Sequence, residues 1–281
     1  MAPDLEVQHW SEPFDWIHDL DLNPESSSLR IGTRHLGNRP WLIADSAAEH
    51  ELRSKLELTL KLPAEVFAAF DHTSRAGQEV LDLVERSVGS VKLGDLGLAD
   101  PRPHPLLRAG LSVQEDLCIM ERRSEGWHLV AASLHNPSRW RLADKIGRHI
   151  AEVHAPVAGY ADSMASRVDA LLNGLGTDPI LRRNWFIHED DVLFQPVAPR
   201  PRIVATADCA AELTVRSERQ TLRRFGDRIL FTIRVQRCPL GVLLEGRANE
   251  LRGYLFGAPQ SEQARRGIRP EQSRALRDLF A

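Results

Sequence analysis

The sequence predicts an α+β fold, with an antiparallel sheet between a helical N-terminal region and C-terminal helices. Two observations support this prediction. Apolar residues over 45–88 recur at helical spacing, whereas the segments 116–122, 127–134, 213–222 and 229–236 are β-forming and lie in two pairs, each joined by a short connection. Two strands followed by helices and then by an antiparallel meander are typical of α+β proteins.

The first of three predicted regions, residues 1–110, consists of an irregular arm and helices. The arm, residues 1–45, mixes Pro, Asp, Asn and Ser with three tryptophans that we expect to anchor it. Helices are predicted over 45–62 and 63–88, where the apolar residues share one side. The proline-containing stretch 94–110 predicts a linker or a surface loop.

The second region, residues 111–245, is the predicted core domain. Between its two pairs of strands we expect one helix over 142–154 and another over 164–175. A further strand is predicted at either 185–187 or 192–194. The core is therefore expected to combine a sheet with helices inserted between its strands.

The third region, residues 246–281, is a predicted helical extension. A short helix is expected near 248–255, and a final helix is expected to begin near Pro270. The final helix places apolar residues on one side and only two arginines on the other. We therefore expect it to pack on the core rather than to bind a membrane or a partner.

The composition argues against several classes of protein. A net charge of −3 and a pI of about 6.4 argue against a nucleic-acid partner, because binding to the phosphate backbone of a nucleic acid requires an excess of basic residues. No apolar run is long enough to cross a bilayer, and residues 1–7 resemble no leader peptide, so we expect no membrane association and a cytoplasmic location. Cys118, Cys209 and Cys238 are odd in number and far apart, which favours reduced thiols.

The strand predicted at 213–222 and the residues after it are unusually basic. Residues 213–225 contain four arginines and a single acid, Glu218. Because side chains alternate along a strand, Glu218 shares a face with Arg216, whereas Arg219 lies on the opposite face. Arginine forms bidentate contacts with carboxylates, so the strand is suited to an anionic ligand.

Seven motifs follow one another along the chain: residues 114–120, 136–140, 144–147, 154–160, 183–185, 216–222 and 231–234. In sequence and in order they resemble the motifs of the haem-dependent oxidative N-demethylases, which are small haem b enzymes on a PAS-like scaffold that oxidise methylamines. The resemblance extends from about residue 30 to residue 241. It implies a PAS-like antiparallel sheet, with a helical N-terminal region and C-terminal helices, and a haem b cofactor.

The resemblance places the iron ligand at His154, near the end of the predicted helix over 142–154. Ala151 and Gly147 lie one and two turns earlier, on the same side, and leave room for a flat ring. The alternative is an exposed histidine that interacts with the last carbonyls of the helix. His149 is the second candidate for the ligand.

The resemblance also implies residues that contact the rest of the haem and the substrate. Glu218 and Arg219 are the candidate catalytic residues. Glu218 either holds the ammonium group of an amine substrate or pairs with an arginine across the hairpin. Asn184 and Trp185 either line the cavity or are buried for packing alone. The candidate partners of the haem propionates are Lys145, Arg216, Arg219, Arg224 and Arg234.

The activity that the resemblance implies is the demethylation of a secondary or N-methyl amine by O₂, with formaldehyde as a product. The sequence has no Gly-rich nucleotide loop, so flavin and nicotinamide are expected to bind not to this chain but to a partner reductase, which supplies electrons through flavin or an iron–sulfur cluster. The alternatives are a haem-binding sensor without turnover and a haem enzyme for a different amine. The sequence departs from the family pattern at Ala158, 225–227 and 235–236, which leaves the identity of the amine substrate open. Assembly into an oligomer is also left open.

Overall fold

The computed structural model describes residues 9–26, 31–89, 98, 102–153 and 165–281. Its centre is one sheet of seven strands in which all neighbouring strands are antiparallel. In chain order the strands are β1 (Arg34–His35), β2 (Phe67–Ala69), β3 (Asp116–Arg123), β4 (Gly126–Ser133), β5 (Ile180–His188), β6 (Thr214–Phe225) and β7 (Arg228–Pro239). Their order across the sheet is β1-β5-β6-β7-β3-β4-β2.

Helices precede, interrupt and follow these strands. In the described residues they are α1 (Ala48–Lys61), α2 (Pro63–Val66), α3 (Ser74–Val88), α4 (Pro105–Gly110), α5 (Ile150–Val153), α6 (Ala165–Gly174), α7 (Cys209–Glu212), α8 (Leu240–Gly257), α9 (Gln260–Arg265) and α10 (Pro270–Arg277). Three of them, α2, α4 and α10, carry proline in the first turn, where the fixed φ of proline suits a helix and its missing N–H is not needed.

The basic strand β6 forms a long hairpin with β7. The two strands pair from Thr214 opposite Pro239 to Phe225 opposite Arg228. The turn between them requires a φ of 54° at Gly226, a conformation that glycine adopts without strain. The register of this hairpin decides which of its side chains meet.

Both faces of the sheet are covered by other elements. On the face that we call the α5 face, α5 and α6 pack against Met120, Leu222 and Ile229. On the opposite face, the arm face, the sheet packs against the N-terminal arm and against α3, α4 and α8. Because directly paired residues of antiparallel strands point to the same side, the register assigns each strand side chain to one face.

These elements confirm the predicted α+β fold with an antiparallel sheet. Strands β3, β4, β6 and β7 begin and end within three residues of their predicted bounds. Helix α6 likewise agrees with the helix predicted over 164–175. The PAS-like architecture stays a prediction that the family resemblance implies.

The helix predicted over 142–154 is wrong for most of its length. A 3₁₀ turn at Leu142–Asp144 is followed by Gly147 with a φ of 78°, and α5 begins only at residue 150. The intervening residues pair with the edge of β4, where Gly147 N donates to Leu129 O at 2.7 Å. Strand β2 leaves that part of β4 free, and pairing with it displaces the helix. The predicted end at residue 154 lies outside the described residues.

Three smaller predictions also need correction, and the choice between two alternative strands is decided. The stretch 94–110 is not all linker, because α4 lies within it. The helix predicted over 63–88 is interrupted by β2, which pairs with the edge of β4. Of the two alternatives for a strand, 185–187 is correct as part of β5, and 192–194 is not a strand. The short helix near 248–255 is the second half of the longer α8.

Candidate active site

A buried carboxylate on the α5 face is the centre of the candidate site. Glu218 lies in the middle of β6, opposite Asn184 of β5 and Val235 of β7. Two residues further along β6, Gln220 lies opposite Ile233. Glu218, Gln220 and Ile233 are only 7–8% exposed, so the carboxylate lies in surroundings that contain little water.

Both oxygens of Glu218 accept hydrogen bonds. The Ser138 hydroxyl donates to Oε1 at 2.6 Å, and Gln220 Nε2 donates to Oε2 at 2.8 Å. Ser138 Oγ in turn accepts from Arg216 Nε at 3.0 Å. Because a hydroxyl has a single proton, accepting from Arg216 leaves that proton for Glu218. The carboxylate is therefore held in one orientation by a chain of three partners.

Arg216 is a buried cation that connects this chain to two loops. Its side chain is 1% exposed, and its terminal nitrogens donate to the carbonyls of Asn136, Pro137, Val192 and Leu193. Burial lowers the pKa of Arg216 to about 10, and the nearby Glu218 opposes this shift. All three guanidinium nitrogens have protein partners, which indicates a positioning role beside Glu218.

Arg219 and Arg234 lie on the arm face, away from Glu218. Arg219 donates to the carbonyls of Pro40 and Trp41, which holds the arm on the sheet. Arg234 pairs with two buried carboxylates, on Asp45 and Glu51. Burial lowers the pKa of Arg234, but these carboxylates outweigh burial and raise it above its ordinary value.

Arg224 and Lys145 lie near the two helices of the α5 face. Arg224 donates to the carbonyls of Leu172 and Leu175 at the end of α6, and its guanidinium lies 5.3 Å from the ring centroid of Trp127. Lys145 Nζ donates to the carbonyl of Val153 at 2.5 Å. Burial lowers the pKa of Lys145, and the neighbouring Arg148 lowers it further. Lys145 thus contacts the residue directly before His154.

Asn184 and Trp185 are neighbours in β5 but point to opposite faces. Asn184 is on the α5 face beside Glu218, and its Oδ1 accepts from Arg266. Trp185 is on the arm face, where its indole N–H donates to Asp21 O at 2.9 Å and its ring packs edge-on against Tyr254. Trp185 is 1% exposed, so packing explains its position.

The two histidine candidates are placed differently. His154 lies outside the described residues, directly after α5, whose Ile150 packs on the α5 face. His149 Nε2 is buried without a hydrogen-bond partner and is 3.9 Å from Asp169 Oδ1. A Cβ added at Gly126 would be 2.3 Å from this nitrogen, so β4 closes the space in front of it. This crowding disfavours His149 as a ligand of a large cofactor.

The structure therefore brings together only part of the predicted set. Glu218, Asn184 and Arg216 converge on the α5 face, whereas Arg219, Arg234 and Trp185 do not reach it. The sequence interpretation gave no role to Ser138 or Gln220, although each has a sequence feature that could have indicated one. Gln220 follows Glu218 at strand spacing, and Ser138 belongs to the motif over 136–140.

The fold and the site describe an α+β protein with a buried, oriented carboxylate suited to a small cationic ligand. A family model for haem-dependent oxidative N-demethylase, alpha subunit-like proteins matches residues 90–266. This match covers more than half of the 281 residues, and the chain belongs to this family. No curated protein matches the chain significantly.

The family match confirms the resemblance that the sequence motifs carry. The family description indicates dependence on haem, an oxidative N-demethylase-like function and a place as an alpha subunit. Within the described residues, no helix is both long and apolar enough to span a membrane. In the part of the chain that the structure describes, no group of three or more His, Cys, Asp or Glu side chains could hold a metal ion.

Proposed function

We propose that the chain is the haem b subunit of a monooxygenase that demethylates a secondary or N-methyl amine. One atom of O₂ is inserted into the N-methyl group, which gives a carbinolamine that collapses to the amine and formaldehyde. The second oxygen atom leaves as water, with two protons and with two electrons from a partner flavin or iron–sulfur reductase. The observation that carries the proposal is the buried, oriented carboxylate of Glu218 in a chain of a haem-dependent demethylase family.

We propose that haem binds on the α5 face. The apolar side chains of Ile233 and of the partly buried Phe231 lie there beside the polar pair of Glu218 and Gln220, a combination that suits a macrocycle with a polar substrate next to it. The chain enters the segment with His154 from α5, and we propose that His154 would bind the haem iron. When bound, haem would supply the oxidation of the N-methyl carbon, and the residue that binds its iron would set its reactivity.

We propose that Glu218 binds the ammonium group of the amine. The Ser138 and Gln220 hydrogen bonds fix both carboxylate oxygens, so that the bound amine is held in one position. Low exposure excludes water, which strengthens the attraction between the carboxylate and a cation. We propose that Asn184, which lies opposite Glu218 in the sheet, also contacts the substrate.

For three arginines we propose roles in holding the fold rather than in catalysis. Arg219 and Arg234 are on the face opposite Glu218, where the arm and α1 already satisfy them. Arg216 is on the correct face but donates to five protein acceptors. Arg224 likewise donates to carbonyls at the end of α6, so Lys145 is the basic candidate that we propose near the propionates.

The absorption spectrum of the purified chain tests the haem ligand. We expect a Soret band that shifts after reduction and addition of CO, and we expect His154→Ala to abolish or alter it. His149→Ala is the matched control, because His149 lies on the same connection but faces Gly126. An intact spectrum in His154→Ala, with its loss in His149→Ala, would refute the assignment.

Turnover with a competent reductase tests the reaction. We expect formaldehyde and the demethylated amine in equal amounts, with no product from the chain and NADPH alone. A chain that binds haem and amine but forms no formaldehyde with any competent reductase would instead be the sensor that the sequence left as an alternative.

A further inference from the structure

A second polar site is a cleft at the edge of the sheet, between the N-terminal arm and β5. Its volume is about 290 Å³. Strand β1 pairs only with Ile180 and Leu181, so the edge of β5 beyond them borders the cleft. A cleft of this volume is close to the lower limit for small-molecule sites. Charged side chains from both walls line it: Asp19, Asp21, Arg34, Arg182, Arg183 and Arg266.

The cleft has an excess of positive charge. Four arginines and two aspartates line it. Glu262, 3.7 Å from Arg266 Nε, offsets part of this excess. Burial lowers the pKa of Arg183 to about 10, and the nearby Arg219 and Arg34 lower it while Asp19 opposes them. Arg34 and Arg183 are therefore close enough to repel each other, and an anion between them would relieve that repulsion.

The buried arginines of the cleft are held in place. Arg183 Nη1 donates at 2.9 Å to both Ser217 Oγ and Gln236 Oε1. The Arg266 guanidinium lies 4.8 Å from the ring centroid of Trp185. Side chains fixed in this way lose little conformational freedom on binding a ligand, unlike arginines on a free surface.

One carboxylate serves two of these cations. Asp19 Oδ1 is 2.8 Å from Arg34 Nη2, and Asp19 Oδ2 is 3.8 Å from Arg183 Nη2. The Asp19 side chain is 38% exposed, so it competes weakly with a ligand that brings its own negative oxygens. A planar carboxylate or a phosphate group matches the fork of N–H donors that arginine presents.

We propose that this cleft is a binding site for a small oxyanion, either a carboxylate or a phosphate group. Two sources have this chemistry: a separate small ligand, or a carboxylate of the haem group. Asn184 lines the cleft and lies opposite Glu218, so the cleft opens beside the candidate active site. The proposal concerns anion binding alone and stands whether or not the chain demethylates an amine.

Calorimetric titration of the full-length purified chain with inorganic phosphate at low salt tests the proposal. We expect saturable binding that weakens as salt is added. Arg182→Gln should weaken it about tenfold or more, because a charge-assisted hydrogen bond is lost. Arg34→Gln, at a 43% exposed side chain, is a second variant whose folding is safer. Arg75→Gln, at a 93% exposed arginine of α3, is the matched control and should bind like the parent chain.

Asp19→Asn gives a test of opposite sign. Removal of its charge frees two arginines from their shared counterion, so phosphate should bind more tightly. Absence of saturable binding, equal binding in both cleft arginine variants and the parent, or weaker binding in Asp19→Asn would overturn the proposal.

Haem loading distinguishes the two sources of the oxyanion. If haem blocks phosphate binding but its dimethyl ester does not, the occupant is a haem carboxylate. If phosphate binds equally with and without haem, the site serves a separate ligand. Either result supports the site only when Arg182→Gln also weakens that interaction.

Discussion

Replacing Ser138 with alanine tests the geometry around Glu218 directly. The change removes a hydroxyl that donates to Glu218 Oε1 at 2.6 Å and accepts from Arg216 Nε at 3.0 Å. Each hydrogen bond to a charged group contributes about 1.5–3 kcal/mol, but the two share one hydroxyl and are not additive. We expect the free energy of unfolding to fall by about 2–4 kcal/mol, because Arg216 Nε is left buried without an acceptor.

Two measurements on Ser138→Ala separate stability from function. Urea unfolding gives the loss of free energy, and titration of the Soret band with a secondary amine gives the affinity for the substrate class. We expect the amine affinity to fall as well, because Glu218 Oε1 is no longer oriented, while haem content is kept. Ser138→Thr retains the hydroxyl and should restore most of both. Stability and amine affinity that both match the parent chain would refute the chain of hydrogen bonds.

Three further predictions follow from the two faces and the buried groups. Glu218→Gln should keep haem bound and weaken the amine-induced Soret shift; an unchanged titration would leave Glu218 as a structural residue. Arg219→Ala should lower the free energy of unfolding by about 1–3 kcal/mol without loss of haem, since the partners of Arg219 are carbonyls of the arm. Loss of haem at unchanged stability would instead indicate that Arg219 contacts the haem group. Burial holds the pKa of His135 well below its ordinary value, so the unfolded chain binds a proton at this residue more readily than the folded chain does. The free energy of unfolding that is present above about pH 6.5 is therefore lost on acidification. The loss from this group is at most about 1.4 kcal/mol per pH unit. Urea midpoints between pH 7 and 5 measure this loss, and a slope unchanged in His135→Asn would contradict it.

The parts of the fold that could be predicted are those whose signal is local. Alternation and β-branched residues gave β3, β4 and the β6–β7 hairpin to within three residues. The prediction of a helix over 142–154 was wrong because the structure of this connection depends on a partner that is distant in the sequence. Its apolar residues have helical spacing, but residue 147 bonds to the edge of β4, which is free only because β2 is short. No pattern within the connection contains that information.

The acidic residue of the candidate site, Glu218, could be predicted from the sequence, but the residues that contact it could not. Strand alternation separates Glu218 from Arg219, but it cannot say which face meets α5. That choice depends on how residues 150–153 pack, which is a tertiary property. Ser138 is 80 positions from Glu218 in the chain, and the two meet where Arg216 and the backbone of Gln195 hold the loop of Ser138 against β6. Sequence supplied the residue types, and packing decided which of them meet.

The arginine richness of β6 has a structural explanation that changes its functional meaning. A sheet covered on both faces must hold an irregular arm and several loops whose carbonyls have no strand partner, and buried carbonyls require donors. Arginine brings five donors on one long side chain, so Arg216, Arg219 and Arg224 each bind carbonyls of segments that pack on the sheet. Positive charge on this strand is thus largely used by the protein itself. The single acid, Glu218, accepts its hydrogen bonds from a neutral hydroxyl and a neutral amide, which leaves its negative charge without a directly bonded cation. A cationic amine would gain most from binding to a carboxylate in that state. We therefore propose that the specificity of the site depends on Glu218 rather than on the arginines around it.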